Sequence, residues 1–164
     1  MDTQIALISL IIAMLSFSMS FVFWRRQFRP IITVSIKTVK SGNTGIAFSL
    51  KVLNSGSIPA KNIRLSINEE KISYAFGSGA LEENKERWVR SINKNNILIL
   101  QNGDAVTCSF GTCHANDSGF WKYEAEFPVG IVYQGWFGYI YEEEQIVNIK
   151  DSSSFTGFMW GENA

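Results

Sequence analysis

The clearest fold signal in this chain is Ile46-Ala47-Phe48-Ser49-Leu50-Lys51-Val52, which is followed by Asn54-Ser55-Gly56. Its large apolar residues occupy every second position, which is the period of a strand with one face in a core. Asn and Gly then supply the chemistry of a tight turn. This segment therefore predicts a half-buried strand and the turn that ends it.

Similar signals lie on both sides of this segment. Residues 32–37 alternate with the same period, and the turn residues of 41–45 join the two runs into a predicted hairpin. On the other side, residues 60–67 place Ile63, Leu65 and Ile67 on one face. The middle of the chain is thus predicted to be built from short antiparallel strands.

Further strand signals continue downstream, each separated from the next by turn residues. They cover residues 96–100, 106–110, 120–127, 130–133, 136–141 and 145–149. Pro128 limits the run before it to an edge or an end of a sheet, and Gln134-Gly135 predicts a two-residue hairpin turn. At least seven strands with short turns between them indicate an all-β domain, an antiparallel sandwich of about seven strands.

The charged segment at residues 81–96 interrupts this pattern. Leu81, Trp88 and Ile92 fall on one side of a helix, but the segment is also rich enough in charge to be a solvated insertion loop. Both interpretations stay open at the level of sequence.

Three turn segments share a recognisable pattern. Residues 52–63 read Val-Leu-Asn-Ser-Gly-Ser-Ile-Pro-Ala-Lys-Asn-Ile, residues 100–104 read Leu-Gln-Asn-Gly-Asp, and Ile131-Val132-Tyr133 precedes Gly135 and Tyr139. Together they resemble immunoglobulin-like modules of prokaryotic envelope and membrane-tethered proteins, with Asn102 where those modules usually have proline. The resemblance covers about residues 30–150 and implies an immunoglobulin-like sandwich. It implies no catalytic residue, because its motifs describe turns and corners.

The N-terminal segment has the properties of a membrane anchor. The 20 positions from Ile5 to Trp24 carry no charge, and a helix of that length spans about 30 Å, the thickness of a bilayer's hydrocarbon core. Its expected lipid contacts and its basic flank are represented by Ile5, Leu10, Leu15, Phe21, Trp24, Arg25, Arg26 and Arg29. Each of the three arginines is expected to contribute about 1 kcal/mol at anionic headgroups.

A cleaved signal peptide is the main alternative for this segment, since Ser18-Met19-Ser20 resembles a cleavage site. The residues before Ile5 include no Lys or Arg, however, and apolar residues continue to Trp24. We therefore expect an uncleaved anchor. Because basic residues flank only its C-terminal end, we expect the N-terminus outside and the β domain in the cytoplasm.

Small residues form a stripe along this predicted helix. The stripe consists of Ala6, Ser9, Ala13, Ser16 and Ser20, at alternating spacings of three and four. Small residues on one stripe let two membrane helices approach closely, so the stripe predicts self-association. Chance spacing in a helix rich in Ala and Ser explains it equally simply.

Catalytic, metal and nucleic-acid signals are weak. The formal net charge is zero, so no global field attracts nucleic acid. Cys108, Cys113 and His114 offer at most three soft ligands, and adjacent Cys113 and His114 would point to opposite faces of a strand. We expect no enzyme, no metal site, no cofactor and no small-molecule substrate, with the run at residues 142–144 exposed to solvent.

Aromatic residues near the C-terminus are the remaining candidates for partner contact. Trp136 and Tyr139 lie in the last predicted hairpin, where core filling is the simpler interpretation. Phe155, Phe158 and Trp160 follow a serine run, and they are interpreted as an apolar hook that docks either on this domain or on another protein.

These patterns divide the chain into an anchor with a basic flank at 1–29, a β domain at 30–150 and a flexible tail at 151–164. We expect a non-enzymatic interaction module at the membrane, whose partners are the bilayer and either another protein or copies of itself. The alternatives are an oligomerising membrane-disrupting effector and an accessory subunit of an envelope enzyme complex.

Overall fold

The computed structural model describes residues 2–42 and 44–153. It begins with one long helix, α1 (Asp2–Gln27), which confirms the predicted N-terminal apolar helix. The helix is long and apolar enough to cross a membrane, with a mean hydropathy of 2.4 within Thr3–Gln27, and none of that window is buried. The predicted docking residues Phe155, Phe158 and Trp160 lie outside the described residues.

After α1, the described residues form seven strands in two antiparallel sheets, which confirms the predicted all-β architecture at that level. The first sheet has the order β1-β2-β5. Its strands are β1 (Ile32–Gly42), β2 (Gly45–Asn54) and β5 (Ala105–His114). The second sheet has the order β4-β3-β6-β7. Its strands are β3 (Ala60–Ser66), β4 (Asn96–Leu100), β6 (Glu126–Gln134) and β7 (Ile140–Asn148).

Alternate residues of both sheets point into one shared core. Ile32, Val34 and Ile36 of β1 are buried, as are Val129 and Ile131 of β6. Each large apolar side chain buried in this way contributes roughly 1.5–3 kcal/mol. The period-two pattern seen in the sequence is therefore the pattern of the core.

The connection between β3 and β4 is helical. It contains α2 (Glu69–Ile72), a single 3-10 turn (Ser73–Ala75) and α3 (Glu82–Lys94). The Asn68 side chain accepts hydrogen bonds from two backbone N–H groups of the first turn of α2 and so caps it. On α3, Val89 is buried, and Trp88 and Ile92 pack against the core. The charged segment that the sequence left undecided is thus an amphipathic helix.

The outer edges of β1 and β7 are joined by a side chain instead of a strand pair. Gln145 of β7 donates from Nε2 to the Ile32 carbonyl at 2.6 Å, and its Oε1 accepts from the Val34 N–H at 3.0 Å. The amide group therefore substitutes for one residue of a neighbouring strand, which satisfies an edge that would otherwise be open.

The predicted strand at 120–127 is wrong for most of its length. Strand β6 begins only at Glu126, and the earlier residues form a loop in which Glu124 has a φ of 60°. Trp121 is drawn inward instead, where its side chain is fully buried. Pro128 lies in β6 opposite Ile146 of β7 but outside the part of β6 that pairs with β3, as expected for a residue without an N–H.

The predicted two-residue turn at Gln134-Gly135 is also wrong. The β6–β7 connection runs over residues 135–139 and includes a 3-10 turn at Trp136–Gly138, with Gly138 at a φ of 73°. Trp136 and Tyr139 are 48% and 44% exposed, so the core-filling interpretation is wrong for both. Tyr141, the second residue of β7, does pack against the core.

Candidate functional site at the helix–domain junction

Helix α1 passes into β1 through only four residues, 28–31. The Phe28 N–H still donates to the Trp24 carbonyl at 2.9 Å, which continues the helical bonding by one residue. Pro30 is buried and ends the helix, because proline has no N–H to continue it. The junction is therefore short and partly enclosed by the domain.

The β2–β3 turn holds this junction with hydrogen bonds from two serines. Ser57 donates from its hydroxyl to the Gln27 carbonyl at 3.2 Å and from its N–H to the Arg29 carbonyl at 3.2 Å. Ser55 donates from its N–H to the Ile31 carbonyl at 2.9 Å. Between them, a Cβ on Gly56 would lie 2.4 Å from the Arg29 carbonyl oxygen, so only glycine allows this approach.

Asn54 is fully buried and connects the turn to its surroundings. Its Oδ1 accepts from the N–H groups of Ile31 and Gly56, at 3.3 and 3.0 Å. Its Nδ2 donates to the carbonyls of Ile58 and Leu100, at 2.8 and 3.0 Å. One side chain therefore joins the junction, the β2–β3 turn and the end of β4.

The other two turns lie at the same end of the domain. In the β4–β5 turn, the Gly103 N–H donates to the Asn54 carbonyl at 2.9 Å. In the β6–β7 connection, a Cβ on Gly135 would lie 3.2 Å from a ring carbon of Pro30. We call this the junction end of the β domain, and it is formed by the β2–β3, β4–β5 and β6–β7 connections.

A buried tyrosine and a partly buried carboxylate also contact the junction. The Tyr133 hydroxyl, on a fully buried side chain, lies 2.9 Å from Glu143 Oε1 and 3.2 Å from the Pro30 carbonyl oxygen. Burial first, and then the hydrogen bond to Glu143, raise the pKa of Tyr133, so the hydroxyl stays protonated and donates. Arg29 Nη1 lies 4.0 Å from the same Glu143 oxygen.

An open groove lies between the end of α1 and the β6–β7 connection. The guanidinium carbon of Arg25 lies 3.7 Å from the centroid of the Tyr139 ring, a cation–π contact. Arg25, Arg26 and Arg29 line one side of the groove, and Tyr139, Ile140 and Tyr141 line the other. The volume is about 360 Å³. A basic surface with an aromatic and apolar border is therefore built where helix and domain meet.

A family model for a domain of unknown function matches residues 3–153, which covers α1 and both sheets. The chain belongs to the DUF8453 family. No curated protein and no solved structure matches it. In this DUF8453 chain, the matched range begins inside α1, so the family pattern includes the helix together with the β domain.

The sequence-predicted site residues of this DUF8453 chain fall into two groups. The anchor and stripe positions lie along α1, except Arg29, which follows the helix, and all of them are exposed. The Ser9 hydroxyl donates to the Ile5 carbonyl of its own helix at 2.9 Å. Trp136 and Tyr139 lie in the connection at the junction end, and Tyr139 contacts Arg25. The fold therefore brings Tyr139 to the predicted basic flank, which sequence reasoning did not foresee.

Sequence reasoning missed Asn54, Tyr133 and Glu143 as functional positions. The sequence predicts Asn54 only as a turn residue and Glu143 only as one member of an exposed acidic run. In β7, however, Glu143 is half-buried and lies on the same inward side as Gln145 and Val147, so the run does not face solvent throughout. The alternation of the strand could have revealed this, since Glu143 is an even number of positions from Val147 and therefore lies on the same face of the strand.

The cysteine and histidine side chains of DUF8453 point apart, as predicted for adjacent strand residues. Cys113 is buried, and burial and then Asp117 raise its pKa to about 12, which disfavours the reactive thiolate. His114 is exposed, and its ring nitrogens lie 2.9 Å from the Thr44 carbonyl oxygen and 3.1 Å from Thr112 Oγ1. Within residues 2–42 and 44–153, no group of three metal-binding side chains occurs.

Strand β4 presents an apolar outer edge in this DUF8453 domain. Among the described strands it pairs only with β3, at one end of the four-stranded sheet, and its residues, Asn96–Leu100, include no charge. Leu98 is 72% exposed and Ile99 is 48% exposed. Sheet edges are normally shortened, charged or covered, so an uncharged apolar edge indicates a contact surface.

Proposed function

We propose that this protein is a single-pass membrane protein that holds a non-enzymatic interaction domain at the cytoplasmic face of the bilayer. The observation that carries the proposal is the exposure of α1. Fourteen of its large apolar side chains, from Ile5 to Trp24, remain exposed although the helix is fastened to the domain at its end. Transfer of these side chains from water to lipid is worth on the order of 20 kcal/mol or more.

The junction supports an uncleaved anchor over a signal peptide. Cleavage after Ser20 would leave seven residues of α1, Phe21–Gln27 of the same helix, attached to the domain as a stub. The contacts of Ser57, Gly56 and Asn54 with residues 27–31 instead suit a helix that stays in place. The family match from residue 3 agrees with this, because it treats the helix and the sheets as one unit.

The strand order supports an immunoglobulin-like sandwich for the β domain. Three strands, β1-β2-β5, face four strands, β4-β3-β6-β7, over one core, and the chain switches sheets from β2 to β3, from β4 to β5 and from β5 to β6. That division is typical of small Greek-key sandwiches. Two of the three turn segments that carry the sequence resemblance also contact each other, through the bonds of Asn54 to Leu100 and Gly103.

The β4 edge supports binding of a partner protein. Its unpaired backbone groups can accept an extended segment of another chain, with Leu98 and Ile99 as apolar contacts. Two copies pairing antiparallel through β4 would place their junction ends at opposite ends of the joint sheet, since β4 runs toward its own junction end at Leu100. Two anchors in one membrane cannot adopt that arrangement, so the edge suits a different protein.

The anchoring and its sidedness are tested together with the native thiols. Cys108 is exposed and Cys113 is buried, so a membrane-impermeant maleimide should label only Cys108. We expect the full-length protein to stay with membranes after alkaline extraction. We also expect labelling in inverted vesicles and protection in right-side-out vesicles, with Cys108→Ser as the unlabelled control. Recovery of the full-length protein in the soluble fraction without detergent would contradict the anchor, and the reverse labelling pattern would contradict the orientation.

Self-association is proposed through the small-residue stripe of α1. Single cysteines at Ser9, Ala13 and Ser16, in a Cys108→Ser background, should crosslink to dimers in membranes. Cysteines at Ile11 and Leu15, on other faces of the helix, should crosslink several-fold less. Equal crosslinking at all five positions would remove the stripe from the proposal and leave the anchor unaffected.

A further inference from the structure

We propose that the groove at the helix–domain junction binds one anionic phospholipid, with the lipid phosphate held by Arg25 and Arg26. This inference rests on the proposed membrane anchoring, which would place the groove at headgroup depth. It assigns a specific binding site where the sequence indicates only a basic flank. Three properties of the groove support the proposal: its charge, the geometry of its donors and its apolar wall.

The first property is the positive charge of the groove. Its wall carries three arginines, and the Glu143 carboxylate lies 4.0 Å from one of them, Arg29. Glu143 also accepts from the Tyr133 hydroxyl, so this carboxylate is already engaged with Arg29 and Tyr133. Among the ion pairs of the described residues, none includes Arg25 or Arg26. The groove therefore keeps two unmatched positive charges, which suits a phosphate anion.

The second property is the geometry of the hydrogen-bond donors of Arg25. Tyr139 covers one face of the Arg25 guanidinium at 3.7 Å and so limits the conformations of that side chain. The N–H groups of a guanidinium lie in its plane, so an arginine stacked on a ring still offers its donors to a phosphate. Arg25 is thus held in place without losing the groups that bind an anion.

The third property, the apolar wall of the groove, favours a lipid over a free anion. Phe21 and Val22 line the groove on the side of α1 that lies nearer the apolar span, and Ile140 lines it from β7. These side chains are 53%, 48% and 67% exposed. A free phosphate gains nothing from them, whereas the glycerol and the first acyl carbons of a lipid would cover them. An amphipathic ligand fits both walls of the groove.

The test counts lipids that stay bound to the full-length protein. The protein is reconstituted in nanodiscs with equal amounts of phosphatidylglycerol and phosphatidylcholine, released into detergent and weighed by native mass spectrometry. We expect one phosphatidylglycerol per chain. Arg25→Gln with Arg26→Gln should lower its retention about 25-fold, at about fivefold for each arginine. The matched control, Arg87→Gln with Arg90→Gln on α3, removes the same charge from an exposed helix and should retain the lipid.

A second pair of variants leaves the arginines in place. Ile140→Asp puts a carboxylate into the groove, and Ile146→Asp puts one at an equally exposed position further along the same strand. Only Ile140→Asp should release the lipid. Equal retention of the two phospholipids, a loss no larger than in the matched controls, or retention without a fixed stoichiometry would overturn the site.

Two further measurements distinguish a failure of the lipid site from a failure of the membrane anchor and from binding of a free anion. Flotation of the protein with vesicles of pure phosphatidylcholine reports anchoring by α1 alone, so failure there counts against the proposed function instead. Inorganic phosphate is added to protein in pure phosphatidylcholine nanodiscs, with chloride at equal ionic strength as the reference. We expect no change in tryptophan fluorescence. A saturable change that Arg25→Gln abolishes would overturn the lipid assignment in favour of a free anion.

Discussion

Replacement of Trp121 by alanine is expected to lower the free energy of unfolding by about 3–5 kcal/mol, the range for removing a large aromatic side chain from a core. Trp121 is fully buried. Its ring stacks on Phe110 with centroids 4.5 Å apart and on Phe76 at 4.9 Å, and Trp88 of α3 meets it edge-on at 4.9 Å. The loop before β6, the connection after α2, helix α3 and strand β5 therefore all lose contacts when this one ring is removed.

The measurement is urea unfolding of the full-length protein in detergent, followed by near-ultraviolet circular dichroism. Trp121→Phe should lower the free energy of unfolding by less than Trp121→Ala, because it keeps an aromatic ring. Some loss should remain, because the N–H that donates to the Phe110 carbonyl is removed. Leu98→Ala serves as the exposed control and should change stability by less than about 1 kcal/mol, since Leu98 is 72% exposed. A loss below about 1 kcal/mol for Trp121→Ala would show that this cluster does not hold the core together.

The parts of the fold that the sequence predicted are those set by local periodicity. Strands β1, β2 and β3 follow from alternation at Ile32, Phe48 and Ile63, because the side-chain period of a strand is visible within a few residues. Helix α1 follows from the length of its uncharged run. In each case one element, read alone, contains the information.

The parts that the sequence missed depend on contacts between distant residues. Residues 120–127 alternate like a strand, yet Trp121 reaches into the core. Its stacking partners Phe110 and Phe76 are 11 and 45 positions away in sequence, and the chain must bend to place Trp121 between them. The sequence predicts a two-residue turn and therefore places Tyr139 in a strand that faces the core, whereas the connection runs over five residues, 135–139, and includes Tyr139. Its partner, Arg25, is more than 100 positions earlier, so no local pattern could join the two.

Replacement of Asn54 by leucine is expected to lower the free energy of unfolding by about 3 kcal/mol or more. Leucine has the same branched shape with two larger, apolar methyl groups, so four hydrogen bonds of a fully buried amide disappear without leaving a cavity. The carbonyls of Ile58 and Leu100 would lose a donor, and each unsatisfied buried group costs about 1–3 kcal/mol. Urea unfolding of the full-length protein measures the change, and Asn148→Leu at an exposed position of β7 is the control.

Asn54→Asp separates loss of the donor from loss of the side chain. The carboxylate keeps an acceptor for the Ile31 and Gly56 N–H groups but turns an oxygen toward the Ile58 and Leu100 carbonyls, where Nδ2 had donated. Burial next to two carbonyl oxygens favours the protonated acid and raises its pKa in the folded state above the unfolded value of about 3.9. Relative to wild type, the variant is therefore expected to be least destabilised at and below that unfolded pKa, and to lose further stability as the pH rises from there through the raised folded pKa. A pH-independent difference from wild type would mean that water reaches this site and that the amide does not hold the junction end closed.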